Sequence, residues 1–193
     1  MEDLTKNPKA IEQFFDRFKG MFLKHLIEQL NDVSSEFISD FVKDNISGQN
    51  LKVRSGDLRR SFGYKVEGKE LKNIKTTLYS TSPYANIHEF GGEITPKNSK
   101  YLAIPLSAAK TASGVSRYSS PRNAPPLVFI QTKAGKKLLM NKSTKEFLYV
   151  LVNRVKIPAR MGFRDKFKKY IPKFSKASDF AAKKSWNEAS KKV

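Results

Sequence analysis

From Ile11 to Phe41 the apolar residues fall mostly at steps of three and four: Ile11, Phe14, Phe15, Phe18, Phe22, Leu26, Leu30, Val33, Phe37 and Phe41. That spacing draws one stripe down an α-helix and predicts helix over about residues 8–45. A stripe this long needs a long partner, so it constrains the rest of the chain more than any other feature. Pro8 suits a first helical turn, Asn7 could cap it, and Ser47-Gly48 can end it. The pattern reads as one helix, or as two with a break near Asn31-Asp32. The stripe is read as core, although the free part of so long a helix could pack on a neighbouring subunit.

The stretch Ser82 to Pro96 forms a hub between the helical pattern and the strands. Pro83 blocks helix, and Tyr84, Ile87 and Phe90 are three apart, so one helical turn or a bent strand could turn all three inward. Gly91-Gly92 permits a sharp reversal. On either side the alternation is that of strands. Phe62, Tyr64 and Val66, a turn at Glu67–Glu70, and Ile74, Thr76, Leu78 and Ser80 predict a hairpin. Residues 101–106, 127–130, 138–140 and 147–152 predict further strands, with a turn at Lys133–Lys136 and Val155 and Ile157 continuing the last strand to Pro158. Residues 107–126, rich in Ser, Ala, Gly, Pro and Arg, read as a loop without regular structure, functional or mobile, that could order only on contact with a neighbour. Phe163, Phe167 and Tyr170 predict a short helix ended by Pro172. From Lys173 the chain is a Lys-rich terminal helix or a mobile basic arm, with Phe180, Lys184 and Asn187 on one helix face.

The expected class is α+β: a long N-terminal helix on a small, mostly antiparallel sheet, with a long loop and a basic C-terminal helix or arm. Residues 1–172 form one domain, with the sheet over about 61–157, and residues 173–193 form a basic extension.

The 193 residues carry 37 Lys and Arg against 18 Asp and Glu, a formal net charge of +19. Such an excess suits acidic partners, namely nucleic acid, an anionic membrane or acidic protein, or serves solubility alone. The hydrophobic share of 39% lies below the globular average of about 45–50%, consistent with polar arms on a folded core. No apolar run reaches the length of a membrane span, and Met1–Lys6 lacks the apolar stretch of a secretion signal. There is no cysteine, hence no disulfide and no thiolate metal site, as suits a reducing compartment.

Catalytic patterns are lacking. His25 lies within the helical stripe and reads as a helix-side residue. His88-Glu89 invites an acid–base or metal reading, but Gly92 stands where a zinc-protease motif needs its second histidine. Glu89 is expected to pair with an arginine, and His88 to pack or to bond to backbone. Asp57, Glu89 and Glu93 are too few for a two-metal centre. No cofactor or metal is expected. No helix-turn-helix, zinc finger or RNA-recognition signature occurs, so DNA contact would be diffuse and through phosphates.

Three segments carry a family resemblance. Arg54-Ser55-Gly56-Asp57-Leu58-Arg59-Arg60-Ser61 resembles a Thr/Ser-Gly-x-Leu-Arg-x-Ser turn, Tyr84-Ala85-Asn86-Ile87-His88-Glu89-Phe90-Gly91-Gly92 resembles a Tyr-Ala-x-x-x-Glu-Phe-Gly segment, and Ile157-Pro158-Ala159-Arg160 resembles the start of a closing Pro-Ala-Arg-Pro-Phe-Leu. Together they are similar to the gene-ten-product-like tail-component family of lambda-like phages, and to the virion-morphogenesis family of phage Mu. Met161-Gly162-Phe163 replaces the usual Pro-Phe-Leu, so the last contact is expected to be built differently. The resemblance implies a non-catalytic head–tail neck, tail-completion or tail-terminator component of the virion, assembled in the bacterial cytoplasm. It implies a hexameric or dodecameric ring that contacts neck, head-closure and tail-tube proteins and lets double-stranded DNA pass. The structural motif residues are then Gly56, Leu58, Arg59, Tyr84, His88, Glu89, Phe90, Gly91, Gly92, Pro158 and Arg160. Arg117, Arg122, Lys168, Lys169, Lys183 and Lys184 are candidate contacts to partners or DNA. The alternatives are a non-specific DNA-binding protein of a mobile element and, behind it, a small nuclease or toxin relying on His88 and Glu89.

Overall fold

The computed structural model describes residues 8–48 and 50–191. Asn7 as a cap therefore lies outside the described residues. Helix α1 runs unbroken from Pro8 to Asn45, about 57 Å at 1.5 Å per residue. There is no break at Asn31, whose side-chain amide donates to the Ile27 carbonyl one turn back. Beyond Asn45 the Ser47 hydroxyl bonds the Val42 carbonyl, and Gly48 turns the chain at φ 120°.

The main partner of α1 is a second long helix, α4 (Phe163–Ser190), which packs antiparallel to it. Pro172 lies inside α4 instead of ending it. A proline removes one intrahelical hydrogen bond, but Pro172 and Lys168, whose carbonyl would have received it, are both exposed, so water can replace the bond. The helix thus continues through the expected boundary at residue 172, and of the two expected forms for the C-terminal extension, helix or arm, it is helix to Ser190.

Its inward face is built from small residues. Ala177, Ala181, Ser185 and Ala189 recur every fourth residue and are buried, whereas Phe180 and Trp186 are 53% and 51% exposed. Small side chains on this stripe let the two backbones approach closely. A ladder of polar contacts then fixes the register. Lys173 meets Glu36 at 2.6 Å, the Tyr170 hydroxyl donates to Asp40, and Lys166 meets Asp44 at 2.6 Å. The Glu36 carboxylate raises the pKa of Lys173, and Lys166 lowers that of Asp44. Burial raises that of Tyr170, with Asp40 adding to it. His25 is buried here, on the side of α1 that faces α4, with its Nδ1 2.9 Å from the Ser185 hydroxyl.

The strands form three antiparallel sheets, not one. The hairpin β1 (Phe62–Glu67) and β2 (Lys75–Ser80) pairs Phe62 with Ser80 through Glu67 with Lys75. Strands β3 (Gly92–Ile94) and β8 (Val155–Ile157) pair with each other, so residues 155–157 do not continue the preceding strand. The four-stranded sheet has the order β4 (Leu102–Pro105), β7 (Phe147–Val152), β6 (Lys137–Asn141), β5 (Leu127–Gln131).

Two apolar centres result. The larger joins the C-terminal half of α1 to α4 and the hairpin. Phe37 and Phe41 are fully buried among Phe62, Phe163, Phe167 and Tyr170, with ring centroids 4.8 Å apart for Phe41–Phe62 and 5.0 Å for Phe41–Phe163. Edge-to-face pairs of this kind stabilise beyond simple area burial. The smaller centre holds Ala109, Leu148 and Tyr149 under the four-stranded sheet. Residues 107–126 are therefore ordered by the chain's own contacts and do not wait for a neighbour. Ala109 is fully buried, short 3-10 turns span Ser107–Ala109 and Pro121–Asn123, and the Thr111 and Arg117 N–H groups donate to the Val115 and Ala109 carbonyls.

Candidate functional site

The three segments that carry the family resemblance meet at the end of α1. After Leu51 the chain passes through Arg54-Ser55, turns at Gly56 (φ 78°) and enters α2 (Asp57–Arg60). Asp57 is held by the Ser55 hydroxyl at 2.5 Å and the Arg60 guanidinium at 2.6 Å, both of which lower its pKa. Leu58 packs on the larger core. Ser61 ties the turn to the hairpin: its hydroxyl donates to the Leu58 carbonyl, lies 2.7 Å from the Ser80 hydroxyl, and its carbonyl accepts the Thr81 N–H.

The second segment is α3 (Ala85–Phe90), followed directly by β3. Helix fits the threefold spacing there, but it does not bring the aromatics inside. Tyr84 and Phe90 are 65% and 57% exposed, and Ala85 is the buried residue. One face of a helix under two turns long meets the core, and the small side chain takes that place. Phe90 instead lies beneath the Arg164 guanidinium, 4.6 Å from its ring centroid.

Glu89 does not pair with an arginine. Its two carboxylate oxygens accept the backbone N–H groups of Phe163 (2.8 Å) and Arg164 (3.0 Å), the first residues of α4. Free N–H groups and the positive end of the helix dipole make this a favourable seat for a carboxylate. The cap preceding α4, Gly162, supplies no side chain of its own, so Glu89 acts in its stead from a distant element.

The third segment is clamped to the second. Arg160 and Met161 both donate their backbone N–H to the His88 carbonyl, at 2.9 and 3.0 Å. Gly91, at φ 71°, lies so close to this corner that a Cβ would stand 2.9 Å from the Ala159 nitrogen and 3.0 Å from the Ile157 carbonyl oxygen. Only glycine fits both the conformation and the space. Gly92 (φ 150°) then starts the pairing with Ile157. Met161 is buried in the larger core, and its carbonyl accepts the Asn45 side-chain amide at 2.9 Å.

Between these elements lies a cleft of about 660 Å³. Its floor is apolar, with Ile46, Leu51, Leu58 and Ile157, and Lys52, Arg54, Arg59 and Arg160 stand around it. These four cations form no ion pair among the described residues, whereas the lining carboxylate, Asp57, is already satisfied by Arg60. His88 also lines the cleft. Burial first, and Arg160 second, lower its pKa below the ordinary imidazole value of 6.5, so the ring is neutral at neutral pH. Its Nδ1 is buried without a hydrogen-bond partner. The arrangement is a basic cleft over an apolar floor. Glu89 is committed to the α4 backbone, and among the described residues no three His, Asp or Glu side chains stand together as a metal site would need.

Of the predicted motif residues, Gly56, Leu58, Arg59, Tyr84, His88 and Arg160 line this cleft; Glu89, Phe90, Gly91, Gly92 and Pro158 build its supports. The predicted contact residues lie elsewhere and apart. The Arg117 guanidinium donates to the Lys110 carbonyl within the 107–126 segment, and Arg122 lies in its second 3-10 turn. Lys168, Lys169, Lys183 and Lys184 are exposed along α4. With exposed Lys176, Lys169 and Lys183 recur every seven residues, which keeps them on one face about 10 Å apart. Lys52 and Met161 are site residues that sequence reasoning does not find. Nothing local marks Lys52, and only the spatial return of the chain makes Met161 a core residue.

Compared with known proteins, the chain matches no family model, no curated protein and no solved structure.

Proposed function

We propose that this chain is a non-catalytic component of the head–tail neck of a long-tailed phage, a tail-completion, terminator or connector protein. It forms a closed ring between capsid connector and tail and lets double-stranded DNA pass. The observation that supports this reading is the junction itself. Three segments far apart in sequence, each carrying part of the resemblance, meet at one place and hold one another there. Glu89 caps α4, the His88 carbonyl anchors residues 160 and 161, and Gly91 admits the corner. A scaffold for assembly needs such fixed corners. A reaction centre would instead need the Glu89 carboxylate free and aimed at a reacting atom.

In this reading neighbouring copies, adjacent neck, head-closure and tail-tube proteins, and DNA are the partners, and the place of action is the virion. No helix among the described residues is long and apolar enough to cross a membrane. Electron microscopy of the purified chain, with and without double-stranded DNA, tests the proposal. Closed rings without DNA support it. Particles that remain single and coat DNA in a salt-sensitive way favour the alternative of a non-specific DNA-binding protein. The Lys169, Lys176 and Lys183 face of α4 is the observation that keeps this alternative open, because phosphate attraction needs only a row of cations.

A further inference from the structure

We infer that the basic cleft receives the segment Glu2-Asp3-Leu4 of a second copy of this chain. This deepens the ring reading by naming the contact that joins neighbours, and it rests on that reading for self-association.

The cleft sets the chemistry of its occupant. Lys52, Arg54, Arg59 and Arg160 surround it without ion pairs among the described residues, over an apolar floor that includes Ile46 and Leu51. A fitting ligand carries more than one negative charge beside an apolar group, and is narrow enough for about 660 Å³. A DNA duplex meets the charge requirement but is convex and too wide, and its phosphates bring nothing to an apolar floor. An extended acidic peptide meets all three requirements.

The sequence offers one such peptide. Glu2-Asp3 is the sole pair of adjacent carboxylates in a chain of net charge +19, and Leu4 follows it directly. Geometry decides between contact within a chain and contact between chains. The cleft lies at the C-terminal end of α1, beside Ile46 and Leu51, whereas residues 1–7 precede its first residue, Pro8. Seven residues reach at most about 25 Å, and α1 is about 57 Å long. The segment cannot reach its own cleft, so the contact is with a neighbour. It is also heterologous, segment to cleft, which leaves a joined pair with one unused half at each end. Repetition then closes a ring or extends a filament.

The test uses the full-length chain and a labelled synthetic peptide of residues 1–7. Fluorescence anisotropy is expected to show saturable peptide binding that weakens roughly tenfold or more in Arg59→Glu/Arg160→Glu. A scrambled peptide that moves Leu4 away from the acidic pair should bind more weakly. Analytical ultracentrifugation is expected to show that Glu2→Lys/Asp3→Lys and Arg59→Glu/Arg160→Glu each reduce assembly, and that mixing the two variants brings back a one-to-one pair through the intact segment of one and the intact cleft of the other. A misfolded variant could not be rescued by mixing. If both variants assemble like the parent, the contact is wrong and the ring reading stands. If the parent is monomeric at every concentration, the contact between copies is overturned together with the ring reading, even where the free peptide binds the cleft. If a short DNA duplex competes at the cleft and the peptide does not bind, the inference is overturned in favour of phosphate.

Discussion

Replacing Glu89 with alanine removes the two carboxylate bonds to the Phe163 and Arg164 N–H groups, 2.8 and 3.0 Å long. The loss combines a missing N-terminal cap, about 1 kcal/mol, with a charge–dipole attraction of about 0.3–1 kcal/mol. The Phe163 N–H, part-buried in the structure, is also left without its partner. Together these give about 2 kcal/mol. For a domain of this size each kcal/mol moves the midpoint by roughly 2–4 °C, so Glu89→Ala is expected to melt about 4–8 °C lower. Glu89→Gln keeps an acceptor oxygen but removes the charge, and should fall about halfway between. Helix melting followed by circular dichroism measures both. A Glu89→Ala midpoint equal to that of the parent would refute the capping role and reopen this carboxylate to other chemistry.

Ala181→Leu inserts a large side chain into the fully buried small-residue stripe and should cost about 1–3 kcal/mol or more; Phe180→Ser, one residue away and exposed, should cost little, and chemical denaturation compares them. Gly91→Ala forces a Cβ to 2.9 Å from the Ala159 nitrogen at φ 71°; a destabilisation of about 1–3 kcal/mol is expected, read as a lower midpoint. His88 has a folded pKa below its ordinary value of 6.5, so the unfolded chain binds its proton first as pH falls. The stability tied to the neutral ring is present above pH 6.5 and disappears as pH drops from there toward the lower folded pKa. His88→Phe should flatten the pH dependence of melting in that window. Charge reversal at Lys169, Lys176 and Lys183 should weaken DNA binding and flatten its salt dependence, by about 0.9 in slope for each phosphate no longer neutralised; anisotropy with a duplex at several salt concentrations measures it.

Much of the fold is legible where a single physical rule governs a segment. The three-and-four spacing of Phe14 to Phe41 marks α1, alternation marks β1–β2, and two short apolar runs around a Lys133–Lys136 turn mark β5–β6. Sequence reasoning fails where a distant element decides. Pro172 reads as a stop, because the sequence does not reveal that Pro172 and Lys168 are both exposed. The large residues Phe180 and Trp186 draw attention away from Ala177, Ala181, Ser185 and Ala189, yet close packing on α1 selects the small side chains. The fourfold recurrence of those residues is the signal to read. Residues 107–126 look structureless because their order comes from single contacts such as Ala109 under the four-stranded sheet, which leave no periodicity. At the site, the motif residues can be identified from the sequence but not their work. Glu89 bonds backbone N–H groups 74 and 75 residues away, and no side-chain pattern announces a backbone partner. The cleft likewise depends on Arg54 and Arg160 arriving at one place from separate segments.

The central claim is that the chain exists to assemble, and native mass spectrometry of the full-length protein tests it most directly. The account predicts one closed stoichiometry of the 21.9 kDa chain, unchanged over a range of protein concentration above the assembly threshold. A monomer mass at every concentration would contradict it.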